Sequence, residues 1–419
     1  MSLLRSMKVA VISDLHVGDM AKGKDFSPNK TENASVDNYL QEFLDFVSRE
    51  EISADYLIIS GDISNRANEQ EFSLASDLIE KIARSLKVDR SKVLFCPGNH
   101  DIHWPAIEAH KGIGGDFDSV VKSKYLNLLR GGLIFSDNHS SGEGRFDSPP
   151  YLVSWSFDDL NIFSLNSAVY DGPDAAPHRG EIKSEQIEAI NEVLASHVSR
   201  SKVNIFILHH HPKQYEDKTF RSADPSCMIN SDGLLHLLAQ HEIDFVVHGH
   251  KHVPRFDLEI NSDGHPIWIL CAGSFSSRLD DRYFGGIGNF FHLIEFRDRC
   301  EENGWARGGV KSWAHLLAHK WIESGAIDFD SYNQFGAYLS PKKLGELLEE
   351  MICKAFDESP TPIVKWPELV ERNESLRYYS NSSLKRQLEK ITQKTGTMML
   401  YPGGQTILEN LVLVKDKSP

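Results

Sequence analysis

The chain reads as a mixed α/β protein built on a largely parallel sheet with helices over both faces. Three observations predict this. Short apolar runs recur through the first 300 residues, amphipathic stretches of helical spacing separate them, and the runs end abruptly in polar clusters. Met7 to Ser13, Tyr56 to Ser60, Val93 to Cys96, Val203 to Leu208 and Ile243 to Val247 are rich in Val, Ile, Leu and Phe. Such continuous runs mark strands buried on both faces. Between them, Val36, Tyr39, Leu40, Phe43, Leu44 and Val47 follow helical spacing, as do Phe72, Ala75, Leu78, Ile79, Ile82 and Leu86. Gln186 to Leu194 and Leu234 to Leu238 predict further helices. Phe256 to Ile260 and Ile267 to Cys271, joined by Asn261-Ser262-Asp263-Gly264, read instead as an antiparallel hairpin.

The 419 residues exceed the usual single-domain length, so a principal domain with an appendage is expected. We place the principal domain at 7–300, a linking or edge segment at 301–340, and a small α+β accessory domain at 341–419. Residues 102–150, with Gly, Ser and Asp clusters and a closing Pro149-Pro150, read as a long insertion with one short helix around Lys122 to Leu129. In the accessory region Pro341 to Phe356 and Ser383 to Thr392 predict helices. Thr397 to Tyr401 and Thr406 to Val414 predict a hairpin turning at Pro402-Gly403-Gly404.

Composition narrows the function classes. A net charge of −15 tells against a broad electrostatic grip on nucleic acid, which needs Lys and Arg to displace counterions. The five cysteines (Cys96, Cys227, Cys271, Cys300, Cys353) are dispersed and never form C-x-x-C, which argues against a disulfide framework and a thiolate zinc site. A reducing, cytoplasmic setting is the expectation. The apolar run Val9 to Ile12 is far short of the roughly 20 residues of a membrane helix, so no membrane partner is expected. Met1-Ser2-Leu3 reads as an added leader, with natural translation starting near Met7.

The polar clusters carry the chemistry. Asp14-Leu15-His16, Gly61-Asp62, Gly98-Asn99-His100-Asp101, His209-His210-His211-Pro212 and Gly249-His250-Lys251-His252 each follow an apolar run at once. In an open parallel sheet all five lie at the carboxyl ends of strands, where α/β proteins bind ligands. Imidazole, carboxylate and amide oxygen without thiolate suit Mn, Fe, Zn or Ni.

Asp14-x-His16, Gly61-Asp62, Gly98-Asn99-His100-Asp101, His210-x-Pro212 and Gly249-His250-x-His252 together resemble the calcineurin-like metallophosphoesterase superfamily, over roughly residues 7–296. The resemblance extends to Asn166-Ser167 and to Gly180 through Ile190. It implies two mixed β-sheets packed as a sandwich flanked by helices. It also implies one metal on Asp14, His16, Asp62 and His252, and a second on Asp62, Asn99, His210 and His250, with Asp62 shared. His-x-Pro spacing selects His210, whereas a shift of one residue selects His209 or His211. Neighbouring strand-end residues point in opposite directions, so His211 otherwise reads as a pocket residue and His209 and His248 as buried supporting groups. Two metals roughly 3.5 to 4 Å apart clamp a phosphate and acidify a bridging water to hydroxide. His100 then serves the leaving oxygen as proton donor or charge stabiliser, with Asp101 orienting its ring. His103, Trp104, Asp171 and His178 are candidates for the pocket wall.

The function the resemblance implies is a phosphodiesterase acting on a small nucleotide-like or glycerophosphodiester-like substrate. One alternative is a DNA or RNA nuclease of the same superfamily, favoured only by the basic stretch Lys365, Arg372, Arg377, Lys385, Arg386, Lys390 and Lys394. The other is a non-catalytic protein-binding scaffold, a reading opposed by the presence of every ligand position and of His100.

Overall fold

The computed structural model describes residues 6–31, 34–111, 117–131, 152–172, 178–217, 222–223, 226–260, 264–279, 286–317, 320–326, 329–402 and 408–415. Residues 1–3, much of the insertion, and the turns expected at 261–263 and Gly403-Gly404 lie outside the described residues. Two compact units emerge, Met1–Phe296 with Val310–Tyr332, and Arg297–Gly309 with Asn333–Pro419.

In the first unit β1 (Met7–Ile12), β2 (Tyr56–Ser60) and β3 (Val93–Cys96) run parallel, and Asn289–Arg299 pairs antiparallel on the other side of β1. Ala306–Leu316 and Lys320–Glu323 carry this sheet outward, so the stretch read as a linking or edge segment contributes strands. A second sheet holds β4 (Leu152–Ser156), β5 (Leu160–Leu165) and β6 (Val203–Ile207), followed by Phe245–His248, Pro266–Cys271 and Arg255–Ile260. Its four central strands are parallel and its two outer strands antiparallel.

The apolar runs thus form two mixed sheets where their pattern alone suggested one. Continuous hydrophobicity reports that a strand is covered on both faces, and another sheet covers it as well as a helix does. Cross-ties join the layers: Ser164 Oγ donates to the Phe95 carbonyl at 2.8 Å, and the Tyr56 hydroxyl to Asp159 at 2.7 Å.

Helices form the outer layers. α1 (Tyr39–Arg49) buries Tyr39, Phe43, Phe46 and Val47, one stripe of a helical period. α2 (Glu69–Ser85) starts at Asn68, whose side chain accepts the Glu71 N–H. Ser184–His197 and Ser231–Gln240 place Ile190, Leu194, Leu234 and Leu238 in one core with Phe206, Val246 and Ile269 of the second sheet. Among the described residues the insertion forms three short helices, Trp104–Lys111, Phe117–Lys124 and Leu126–Arg130, where a single one was expected.

The second unit has its own core of Leu344, Leu348, Ile352, Val364, Leu369, Leu384, Leu388 and Leu413. Its helix Pro341–Glu358 is capped by Ser340, and Asn381–Thr395 ends at Gly396 in the left-handed conformation. Thr397–Leu400 and Val412–Lys415 pair antiparallel, the second strand beginning later than the Thr406 expected because Leu408–Asn410 forms a short helical turn, and Ile363–Lys365 adds a third strand too short for its sequence to show a period. No helix among the described residues is long and apolar enough to cross a membrane.

Candidate metal centre

The loops after β1, β2 and Phe245–His248 carry the first donors, and they reach inward by an uncommon backbone. Asp14 (φ 50°), His16 (48°), Asp62 (51°), His250 (84°) and His252 (58°) all adopt the left-handed region. A non-glycine residue there costs on the order of 1–2 kcal/mol and persists where surrounding contacts over-determine it. Those contacts exist. The first two loops run alongside each other, Asp14 N–H donating to Gly61 O at 3.0 Å and His16 N–H to Asp62 O at 2.9 Å. Gly98 lets the next loop close in, since a Cβ there would stand 2.2 Å from Asp62 Oδ1.

These turns bring side chains from both sheets together. The donor atoms of Asp14, His16 and His252 lie within 4.8 Å of one another, as do those of Asp62, His209 and His250. Asp62 faces both groups: its Oδ2 is 3.5 Å from His16 Nε2 and 3.2 Å from His209 Nε2. Asn99 Oδ1 joins the second group, 3.1 Å from His250 Nδ1. His210 sits beside it, its ring 4.6 Å from that of His250, with Nδ1 hydrogen-bonded to Ser167 Oγ at 2.9 Å. The member of the triple histidine grouped with Asp62 is therefore His209, and His210 stands outside that group.

Nε2 of His16, His210 and His250 and Nδ1 of His252 are buried without a hydrogen-bond partner among the described residues, while His209 Nε2 has the Asp62 carboxylate beside it. Buried polar atoms left unmatched are expensive and rare. Partnerless nitrogens converging on carboxylate and amide oxygens are what a divalent metal would satisfy, so the residues fit the metal chemistry of the donor set.

Electrostatics point the same way. Burial pushes Asp14 up to about 7. Burial would also raise Asp62, but His209, His100 and His16 hold it well below the usual carboxylate range. His209 is pushed up to about 9, because Asp62 and Asp14 outweigh its burial. Burial and neighbouring imidazoles hold His16 and His250 well below the ordinary histidine value, and His252 at about 4. The carboxylates thus demand a positive charge between them, while most of the rings are neutral, the form that ligates metals.

His100 and Asp101 have separate duties. His100 N–H donates to Asp62 Oδ1 at 2.8 Å, and its Nδ1 lies 2.9 Å from the Asn65 carbonyl. Asp101 takes N–H bonds from Ile63, Ser64 and Gly98 and a bond from Ser64 Oγ, so it braces the Asp62 loop, while Asn65 meets the His100 ring. Burial, then Asp62, pushes Asp101 up to about 6. Beside His100 opens a cavity of about 500 Å³ whose wall includes Asn65, Arg66, Asn99, Trp104 and Glu108. Of the other wall candidates, His178 stacks on Trp104 and bonds Asp171 at 2.9 Å, and the His103 N–H is tied to Lys124 O.

A two-sheet sandwich whose strand ends converge on such donors defines a metallophosphoesterase, a hydrolase that uses divalent metals on phosphoesters. The sequence profile of the calcineurin-like phosphoesterases matches residues 7–254, more than half of the chain, and the chain belongs to that family. Similar solved structures include a dimetal phosphatase from Danio rerio, at 14% identity over 73% of this chain and 95% of that one, with a TM-score of 0.44. The calcineurin-like phosphoesterase YfkN from Bacillus subtilis is 14% identical over 75% of this chain and 92% of that one, with a TM-score of 0.38. Purple acid phosphatase PPD1 from yellow lupin is 12% identical over 76% and 52%, with a TM-score of 0.44. No curated protein sequence matches the chain.

Proposed function

We propose that the chain hydrolyses a phosphodiester in a small nucleotide-like or glycerophosphodiester-like molecule at a two-metal site. Asp14, His16, Asp62 and His252 hold one ion, and Asp62, Asn99, His209 and His250 the other. His209 takes the place that His-x-Pro spacing assigns to His210, because its Nε2 is the nitrogen 3.2 Å from Asp62. The observation that carries the reading is the Asp62 carboxylate standing between two groups of buried imidazoles. When bound, the metals supply Lewis-acid polarisation of the phosphoryl oxygens and acidify water.

The chain's own residues do the rest. His100, its Nδ1–H donated to the Asn65 carbonyl, keeps Nε2 for the leaving oxygen and delivers a proton there when charged. Asp101 holds the Asp62 loop in register. The adjoining cavity has the size of a small-molecule site, and Trp104 and Pro105 offer apolar surface to the organic part of the substrate. Among the described residues of that wall, besides His100, Arg66 and Glu108 are the charged side chains, one of each sign. A lining so poor in positive charge suits the single charge of a diester better than the double charge of a monoester. The same shortage, with the net charge of −15, sets the nuclease reading second.

The test is manganese-stimulated hydrolysis of a chromogenic phosphodiester and the matching monoester by wild type, Asn99→Ala and His100→Ala. Metal-dependent turnover that favours the diester and is lost in both variants is expected. Two bound metals with neither compound turned over would move the assignment to nuclease substrates. A protein that binds no metal would leave the scaffold reading standing.

A further inference from the structure

A second buried cluster lies beside the Asp62 centre and uses none of its ligands. Cys271 ends the strand Pro266–Cys271, and His248, its register partner, ends the parallel neighbour Phe245–His248. His211 arrives from the loop after β6, where it bridges to Cys227. Donor atoms of His211, His248 and Cys271 all lie within 4.8 Å of one another, and all three residues are buried. Neither ring nitrogen of His211 has a hydrogen-bond partner among the described residues. A neutral imidazole carries one donor and one acceptor, and burying both unmatched is a condition native interiors avoid. His248 is posed differently. Its Nδ1 lies 3.3 Å from the Gly249 carbonyl, the second contact by which metal-bound histidines are habitually oriented, and its Nε2, hydrogen-bonded to the Tyr215 hydroxyl, would exchange that bond for an ion. The Tyr215 hydroxyl, 3.3 Å from that Nε2, stands next to a fourth position.

We propose that His211, His248 and Cys271 hold a further metal ion of the thiolate-binding class that zinc represents, separate from the Asp62 centre. The donor set contains no carboxylate. One thiolate with two imidazoles selects zinc, or copper, over manganese and magnesium. On binding, the Cys271 S–H bond breaks, a metal–sulfur bond forms and the proton passes to buffer. The absence of any C-x-x-C made a thiolate site invisible in the sequence, because this one draws single residues from three segments. The inference does not rest on the phosphodiesterase assignment.

Cobalt substitution of the full-length protein tests it, because a thiolate on Co²⁺ gives a near-ultraviolet charge-transfer absorption that oxygen and nitrogen ligands lack. The band is expected in wild type, in Cys96→Ser and in Asp62→Asn, and lost in Cys271→Ser. Zinc content should fall by one equivalent in Cys271→Ser relative to wild type, with circular dichroism unchanged. Should that variant fail to fold, His211→Phe, which keeps an aromatic ring, is expected to lose the same equivalent. Wild type without the band, or a band that survives Cys271→Ser, overturns the proposal.

Discussion

The two histidine clusters differ in what accompanies their imidazoles and in how the chain delivers them. Around Asp62 the rings share space with two carboxylates and an amide, and five of the donors sit on left-handed backbone. Around Cys271 the companions are a thiol and a phenol, and none of the three residues has positive φ. The first cluster carries the Asp62 charge at neutral pH, joined by that of Asp14 as pH rises through about 7, and attracts cations without giving up a thiol proton. The second gains negative charge only when Cys271 gives up its proton, so its occupancy should follow pH and thiol oxidation. Carboxylates suit a site that must also receive a phosphate, and a thiol suits one that only holds an ion.

The sharpest way to separate the clusters is Asp62→Asn. Turnover of any phosphoester should fall to background with loss of metal from both groups that share this carboxylate, while thiolate absorption persists. A joint disappearance would make the clusters one site.

His100→Ala should lower kcat by about 10²–10⁴-fold with metal content unchanged; metal lost along with rate would place His100 among the ligands. His209→Ala should release an ion, whereas His210→Ala should cost about 10–100-fold in activity through the Ser167-linked ring. The reverse order in metal analysis would restore His210 as the ligand. Asp101→Asn is expected to cost about 10–100-fold by loosening the Asp62 loop, seen as weaker metal affinity in competition with a chelator.

The smallest effect lies outside both clusters. His292, bonded to Ser312 and Ala272, and His315, beside Glu42, are each lowered to about 4, chiefly by burial. The unfolded chain takes up these protons first as pH falls, so stability is present above about 6.5 and lost between there and about 4. Each group contributes a limiting slope of about 1.4 kcal/mol per pH unit. Urea unfolding across that window should show the decline, and His292→Gln should flatten part of it.

Much of this was legible beforehand, for identifiable reasons. Tyr56 to Ser60 and Val93 to Cys96 were readable to the residue because strands sandwiched between two layers must be apolar throughout. Ala306–Leu316 was missed, since Gly308-Gly309 and the polar residues after them interrupt any period. The turns that carry the candidate donors announced themselves because each polar cluster interrupts an apolar run. Which of His209, His210 and His211 faces Asp62 did not, since rotation about consecutive residues at a strand end depends on tertiary contacts: Ser60 O for His209, Ser167 for His210. Pairing of Cys271 with His211 and His248 depends on strand neighbours, which no local pattern encodes.

The left-handed turns at Asp14, His16, Asp62, His250 and His252 bear on the family signature itself. Asp, Asn and His are the side chains that tolerate this backbone best after glycine, whereas β-branched residues are outliers there. The letters of the motif are therefore chosen twice, once by the ion and once by the peptide torsion. A substitution that preserves donor chemistry but resists the turn, such as Asp14→Glu, should fail for conformational reasons before coordination is even tried.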